Sequence, residues 1–183
     1  MKRQKTQRGF TLTELMVVIA IVAILMSIGV PSYKYISNSY RMAGEINGLL
    51  GDAQFARSEA IKEGQQVILC TSTDQVTCAG VPTWQVGWIV CVDLNNDNTC
   101  DDGEPVLRTQ VTFPNTDTFV SDAASNTSTI IFNREGFAVG FPALAILTLH
   151  DATANSAWTR CLEIQTVGMM TVLTPLTAPA FCT

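Results

Sequence analysis

The sequence predicts an α+β protein in which a long N-terminal helix precedes a head of antiparallel strands. Three observations support this prediction. A long apolar run follows a short basic segment, an amphipathic helical pattern continues directly from that run, and beyond Gly64 the apolar residues alternate as they do in strands. A chain of 183 residues is long enough for one globular domain with an appendage.

The apolar run forms the first half of the predicted helix. It covers residues 10–30, about 20 positions, which is enough to span a bilayer as a helix. Basic residues precede it, so the segment also resembles a secretory signal peptide, and residues 27–29 offer a small-residue cleavage site. Since the helical pattern continues past this site, we expect the apolar segment to remain attached.

The second half of the predicted helix is amphipathic and ends at Glu63, where Gly64 can act as the C-cap. Gly29 and Pro31 mark the junction between the halves, and we expect a kink or local melting there. Charged residues mostly occupy the solvent side of this segment. Apolar residues recur every three or four positions on the opposite side, namely Ile36, Tyr40, Ala43, Ile46, Leu50, Ala53, Ala56 and Ala60.

Short runs rich in β-branched and aromatic residues fill the rest of the chain, which predicts an antiparallel sheet that covers the apolar stripe of the helix. Tight hairpin connections are expected at residues 133–136 and at Gly168. Large aromatic residues on these runs, such as Trp84 and Trp88, are expected in the core. The runs cover residues 66–70, 84–92, 105–113, 129–132, 137–141, 144–149, 160–167 and 169–173.

Six cysteines lie beyond the apolar segment, at an even count and without a CxxC motif. Together with an export signal they predict disulfides formed in an oxidising compartment, whereas buried free thiols in a cytosolic domain are the alternative. Proximity in the chain suggests one of the many possible connectivities. It joins Cys70 to Cys78, Cys91 to Cys100, and Cys161 to Cys182.

One acidic stretch has the spacing of an EF-hand loop, in which side-chain oxygens and a carbonyl surround calcium. Asn98 stands where such a loop has its sharp-turn glycine, and the flanking segments are predicted strands rather than helices. The alternative is a solvated acidic hairpin closed by Cys91 and Cys100, because Asn and Asp favour turns. The candidate calcium ligands are Asp93, Asn95, Asp97, Thr99, Asp101 and Glu104.

Charge and motif content argue against other function classes. The net charge is −5, and the basic residues among the first nine leave −9 on the remainder, which disfavours nonspecific nucleic-acid binding. The chain has no HExxH, GxSxG, Walker A or GxGxxG motif, and His150 is its only histidine. We therefore expect neither a catalytic centre nor a required cofactor.

The stretch RGFTLTE at residues 8–14, followed by LMVVIAIVAIL, resembles the type III signal of type IV pilins and pseudopilins. Thr13 departs from the aliphatic residue that is commonest at its position. The later stretches AQFARSEAIKEGQQVILCTSTDQVTC, WQVGWIVCVD, DGEPVLR and IIFNREG resemble the FimT/FimU/GspH group of minor pilins and pseudopilins. The resemblance therefore covers most of the chain.

This resemblance implies a type IV pilin-like fold and a division into four segments. Residues 1–9 would be a leader that prepilin peptidase removes after Gly9, leaving an N-methylated Phe10. Residues 10–30 would form the transmembrane or filament-core helix, residues 31–63 its amphipathic continuation, and residues 64–183 the β-rich head. Glu14, an acid within the apolar run, would pair with the amine of Phe10 on a neighbouring helix during assembly.

The resemblance also implies a function: a FimU-like minor type IV pilin, a structural subunit in pilus initiation or in the pilus tip. Its partners would be prepilin peptidase, other minor pilins, the major pilin and the inner membrane. It would be a single-pass precursor with a periplasmic head, and later part of the fibre or its tip.

Two alternatives remain open, a pseudopilin of a type II secretion system and a FimT-like DNA receptor. The DNA receptors of this group carry a Gly-Arg-x-Arg stretch, and the matching residues 168–172 contain no arginine. DNA is therefore not an expected partner.

Overall fold

A computed structural model of the chain describes residues 9–180 and Cys182. The predicted leader lies outside the described residues except for Gly9. The chain divides into two compact units, one that ends at Ser39 and one that begins at Tyr40. Each unit is described by itself.

The first unit contains the beginning of helix α1 (Leu12–Glu63). The helix begins at Leu12 rather than at Phe10, because Thr11 caps it. The helix runs through Gly29 and Pro31, so the expectation of local melting at this junction is wrong, whereas the alternative, a kink, stays a prediction. Proline removes only one backbone donor, so the other hydrogen bonds of a long helix can continue on both sides of it.

The second unit contains the rest of α1 and all of the strands. A short 3₁₀ helix, Trp84–Val86, precedes the second strand and accounts for the first part of the run predicted over residues 84–92. The strands are β1 (Gln66–Thr71), β2 (Gly87–Asp93), β3 (Val106–Val111), β4 (Thr118–Ser121), β5 (Thr129–Phe132), β6 (Ala138–Val139), β7 (Leu144–His150), β8 (Arg160–Gln165) and β9 (Met170–Leu173).

These strands form two antiparallel sheets. The first has the order β3–β2–β1–β5–β6, and the second has the order β4–β7–β8–β9. The predicted α+β fold, with a long N-terminal helix and antiparallel sheets, is confirmed. Strand β4 was not predicted, because its four residues follow a polar loop and acquire strand geometry by pairing with the distant β7.

One hydrophobic core lies between the helix and both sheets. The buried stripe of the helix contains Met42 and Leu49, whereas Tyr40 of the predicted stripe is 77% exposed. The tryptophans Trp84 and Trp88 are buried in this core, as predicted. The remaining buried helix residues are Ile46, Ala53, Ala56 and Ala60. The small side chains of the three alanines allow the sheets to approach the helix closely.

Candidate functional site

The start of α1 is organised by Thr11. Its hydroxyl oxygen accepts a hydrogen bond from the backbone N–H of Glu14 at 3.2 Å, and its carbonyl accepts one from Leu15 at 3.2 Å. Thr11 is therefore the N-cap of the helix, and Glu14 lies in the first turn, where an acid interacts favourably with the helix dipole. The T-x-x-E spacing is that of a capping box, a signal that the sequence analysis missed.

The surface that follows this cap is apolar and exposed. Phe10 is 81% exposed, and the large apolar side chains up to Ile36 also face outward. By length and composition α1 contains an apolar stretch long enough to cross a membrane, and no residue of that stretch is buried. Soluble monomers rarely expose so large an apolar surface, which indicates that another apolar phase or chain covers it.

Gly9 and Glu14 are also exposed. The predicted processing pair Gly9 and Phe10 therefore lies directly before the helix cap, and Glu14 lies within the exposed apolar segment. No described residue donates a hydrogen bond to the carboxylate of Glu14. The structure thus leaves this carboxylate open to a partner outside the chain.

In the second unit, several charged residues of α1 contact the head. Arg41 Nη2 donates to Asp117 Oδ1 at 3.0 Å, and Arg41 Nε lies 2.8 Å from Asp117 Oδ2. Beside this pair, Asn115 Nδ2 donates to Glu45 Oε1 at 2.7 Å. Burial raises the pKa of Glu45 above its ordinary value of 4.5, and the nearby carboxylate of Asp117 adds to this shift.

A second contact of this kind joins α1 to the first sheet. The carboxylate of Asp52 accepts hydrogen bonds from Trp88 Nε1 at 2.9 Å and from Arg108 Nη1 at 3.0 Å. The Arg108 guanidinium also lies 3.9 Å from the centre of the Phe55 ring. The expectation that these helix charges face solvent is wrong, because they flank the buried stripe and reach the adjacent strands and loops.

Three disulfides join the cysteines, Cys70 to Cys78, Cys91 to Cys100, and Cys161 to Cys182. These are the pairs that chain proximity suggests. The first two lie in a small apolar cluster with Ile68, on the face of the first sheet opposite the main core. The third ties the C-terminal segment to β8. The disulfides therefore lie in small apolar clusters that are separate from the main core.

The candidate calcium loop connects β2 and β3, and its carboxylates point at the loop's own backbone. Asp93 is buried, and its two oxygens accept N–H groups of Asn96 at 2.6 Å and Asn98 at 3.0 Å. Glu104 accepts N–H groups of Leu94 at 2.8 Å and Asp101 at 3.2 Å. Asn98 has a φ of 68°, so it supplies the left-handed conformation that glycine supplies in EF-hand loops.

The outer part of this loop is polar and exposed. The N–H of Thr99 donates to Asp97 Oδ1 at 3.0 Å, and Asn95 Nδ2 donates to Asp97 Oδ2 at 2.8 Å. These two hydrogen bonds lower the pKa of Asp97. Loss of hydration and the neighbouring Asp97 raise the pKa of Asp101. Within the described residues, no three carboxylates of the loop lie close enough together to share a metal ion. Glu104 does lie close to Cys91 and Cys100, but the sulfur atoms of these two cysteines are joined in a disulfide.

Comparison with known proteins identifies the family. The family model for type II transport protein GspH matches residues 45–168, and the prokaryotic N-terminal methylation motif matches residues 4–30. The minor pilin FimU of Pseudomonas aeruginosa has a similar solved structure, with a TM-score of 0.59 and 19% identity. That likeness covers 82% of this chain and 99% of the FimU chain, and it shows the fold.

Curated relatives match shorter parts of the chain. The type IV major alpha-pilin of Moraxella bovis is 44% identical over 64 residues, which are 34% of this chain and 39% of the relative. Prepilin peptidase-dependent protein D of Escherichia coli K12 is 71% identical over 28 residues, 15% of this chain and 19% of the relative. The chain spans about two fifths of the length of the first of these relatives. The chain belongs to the type II transport protein GspH family, within the type IV pilins and pseudopilins.

Proposed function

We propose that the protein is a minor type IV pilin, a structural subunit that takes part in pilus initiation or in the pilus tip complex. The observation that carries this proposal is the start of α1. This helix start is capped, apolar and exposed, and its first turn contains one acid. The same chain has a head with the pilin fold. In this role the protein performs no catalysis and requires no cofactor.

Processing is proposed to occur between Gly9 and Phe10. Prepilin peptidase would remove residues 1–9, and Phe10 would be N-methylated, as the match to the methylation motif supports. Both residues precede the cap at Thr11, so cleavage leaves the helix and its cap intact. The new amine then lies close to the first turn of the helix.

Glu14 is proposed to select the register of assembly. An unpaired carboxylate within an apolar environment is costly, and the amine of Phe10 on a neighbouring subunit offsets this cost only when the helices are aligned. In this proposal residues 10–30 form the membrane-spanning and filament-core segment, residues 31–63 its continuation, and residues 64–183 the head. The partners are other minor pilins and the major pilin.

The precursor is proposed to lie in the inner membrane with its head in the periplasm, before it enters the fibre. Three disulfides in the head support an oxidising compartment. The curated relatives are named as a pilin and as fimbrial proteins, which favours a pilus over a secretion filament. Beyond Gly64 the chain has three arginines against eleven carboxylates, which disfavours a DNA receptor.

A deletion strain tests this proposal. Loss of the gene is expected to reduce surface pili and twitching motility, while export of type II secretion substrates continues at the parental level. Complementation with the intact chain should restore the pili. Normal piliation together with a secretion defect would reassign the protein to a secretion filament.

A further inference from the structure

A groove of about 420 Å³ lies between the last turns of α1 and the turn that joins β8 to β9. Its walls are largely apolar, with Ile61 on the helix and Met169 on the turn, each about half exposed. Met170, at the start of the edge strand β9, also lines it. The groove is therefore an open, apolar feature beside a strand that is paired on one side only.

Arg57 forms the polar part of this groove. Its Nε donates a hydrogen bond to the carbonyl of Gly136 at 2.8 Å, and its Nη2 lies 3.5 Å from the carbonyl of Val167. These two carbonyls belong to the two hairpin turns that the sequence predicts around Gly136 and Gly168. The guanidinium is thus held between the turns, with its orientation fixed from both sides.

The two turns need glycine at the positions where they approach Arg57 and Ile61 of the helix. Gly136 has a φ of 81° and Gly168 a φ of 78°, in the left-handed region. A Cβ at Gly136 would lie 2.8 Å from Ile61 Cδ1, and one at Gly168 would lie 2.7 Å from Arg57 Nε. Glycine at these two positions therefore leaves the space that the side chains of Ile61 and Arg57 occupy.

The charge of Arg57 is not neutralised. Arg41, Arg108 and Arg134 each lie within ion-pair distance of a carboxylate, but Arg57 takes part in none of the ion pairs of the described residues. Its partners are neutral carbonyls. A half-buried guanidinium next to apolar side chains gains most from a carboxylate, which it can bind with two parallel N–H groups.

We propose that this groove binds a carboxylate flanked by an apolar side chain, presented by an extended segment of a neighbouring subunit. The carboxylate pairs with Arg57, and the apolar side chain packs between Ile61 and Met169. The unpaired edge of β9 accepts the backbone of the segment. That the occupant is a neighbouring subunit rests on the proposed function, whereas the ligand chemistry rests on the groove alone.

Small probes test the ligand chemistry with the full chain in detergent micelles. N-acetyl-leucine offers a carboxylate and an isobutyl group, acetate offers only the carboxylate, and N-acetyl-leucinamide offers only the apolar part. We expect N-acetyl-leucine to shift the NMR signal of the Arg57 Nε–H. The concentration that gives half of the full shift should be at least about tenfold lower for this probe than for either of the others, because charged hydrogen bonding and apolar burial act together.

Matched variants place the response at the groove. Arg57→Gln is expected to abolish saturable perturbation of the Met169 and Ile61 methyl signals, whereas Arg160→Gln leaves it intact, since Arg160 also bonds backbone carbonyls but lies outside the groove. Met169→Glu should abolish binding without loss of melting temperature, because the new carboxylate occupies Arg57 and Met169 is exposed. This variant keeps the test valid even where Arg57→Gln disturbs folding.

Equal midpoint concentrations for acetate and N-acetyl-leucine would show that the apolar side chain does not contribute to binding. Unchanged binding of N-acetyl-leucine by Met169→Glu would show that the probe binds outside this groove. Tighter competition by inorganic phosphate or by a DNA oligonucleotide would make the groove a phosphate or nucleic-acid site instead. The titration uses no filaments, so its failure leaves the pilin assignment untouched.

Discussion

Arg41 and Asp117 lie 76 residues apart in the chain, yet two nitrogens of the arginine contact the two carboxylate oxygens of the aspartate. The side chain of Asp117 is 2% exposed and that of Arg41 is 37% exposed. The effect of such a pair on stability is largest when one partner is removed, because the remaining buried charge then has no counter-ion. The contact fixes the loop before β4 onto the helix.

Arg41→Met is therefore expected to lower the free energy of unfolding of the head by about 1–3 kcal/mol, a range reduced for the partial exposure of Arg41. Denaturant titration followed by tryptophan fluorescence measures this change, since all three tryptophans lie in the second unit. Arg134→Met is the control, because its pair with Glu135 is exposed. Equal effects of the two variants would contradict the assigned importance of the buried pair.

Glu45 predicts a pH dependence with a definite sign. Burial raises its pKa in the folded state above 4.5, so the native protein binds this proton more readily than the unfolded chain. The stabilising contribution is fully present below the unfolded pKa and is lost as the pH rises through the folded pKa. Glu45→Gln should therefore raise stability near pH 7, and this gain should vanish as the pH falls below about 4.5.

Glu135→Gln provides a control of opposite sign. Its hydrogen bond to Arg134 lowers the pKa of Glu135, so this carboxylate stabilises above its unfolded pKa and loses that contribution as the pH falls. Melting temperatures of both variants, measured from neutral pH down to below the unfolded pKa, distinguish the raised pKa of Glu45 from the lowered pKa of Glu135. A pH-independent effect of Glu45→Gln would show that packing, rather than the proton, is responsible.

The sequence predicts what depends on local periodicity. The apolar run, the stripe through Ile46 and Ala53, and the alternating strands all follow from neighbouring residues, and the structure has them. The bond from Trp88 to Asp52 and the bond from Arg57 to Gly136 connect residues 36 and 79 positions apart. Their geometry depends on how the sheets fold back onto the helix, which periodicity does not specify.

The geometry of the loop between β2 and β3 predicts that calcium does not stabilise the head. Both oxygens of Asp93 and both oxygens of Glu104 already accept backbone N–H groups, so the loop is held without an ion. We expect about 1 mM calcium to leave the melting temperature of the head unchanged, because only a ligand bound by the native state adds stability. A rise with calcium that Glu104→Gln removes, and that magnesium does not reproduce, would establish a calcium site.

Glu14 provides the most direct test of assembly. Its backbone N–H, not its carboxylate, bonds to the Thr11 cap, so Glu14→Gln removes the charge while keeping the helix start. If the carboxylate pairs with the amine of a neighbouring Phe10, this variant should be processed and inserted normally, yet be depleted in sheared filaments by about tenfold or more, since a buried amine loses its counter-ion.

Intact mass of the Glu14→Gln chain checks that its mature N-terminus is still a methylated Phe10, and membrane fractionation checks insertion. Glu63→Gln, at the other end of the same helix and exposed beside Lys62, is the matched control and should enter filaments normally. Normal incorporation of Glu14→Gln would show that the acid does not select the register. Cleavage near Gly29 instead of after Gly9 would argue against pilin-type processing altogether, because the exposed apolar segment would then be lost before assembly.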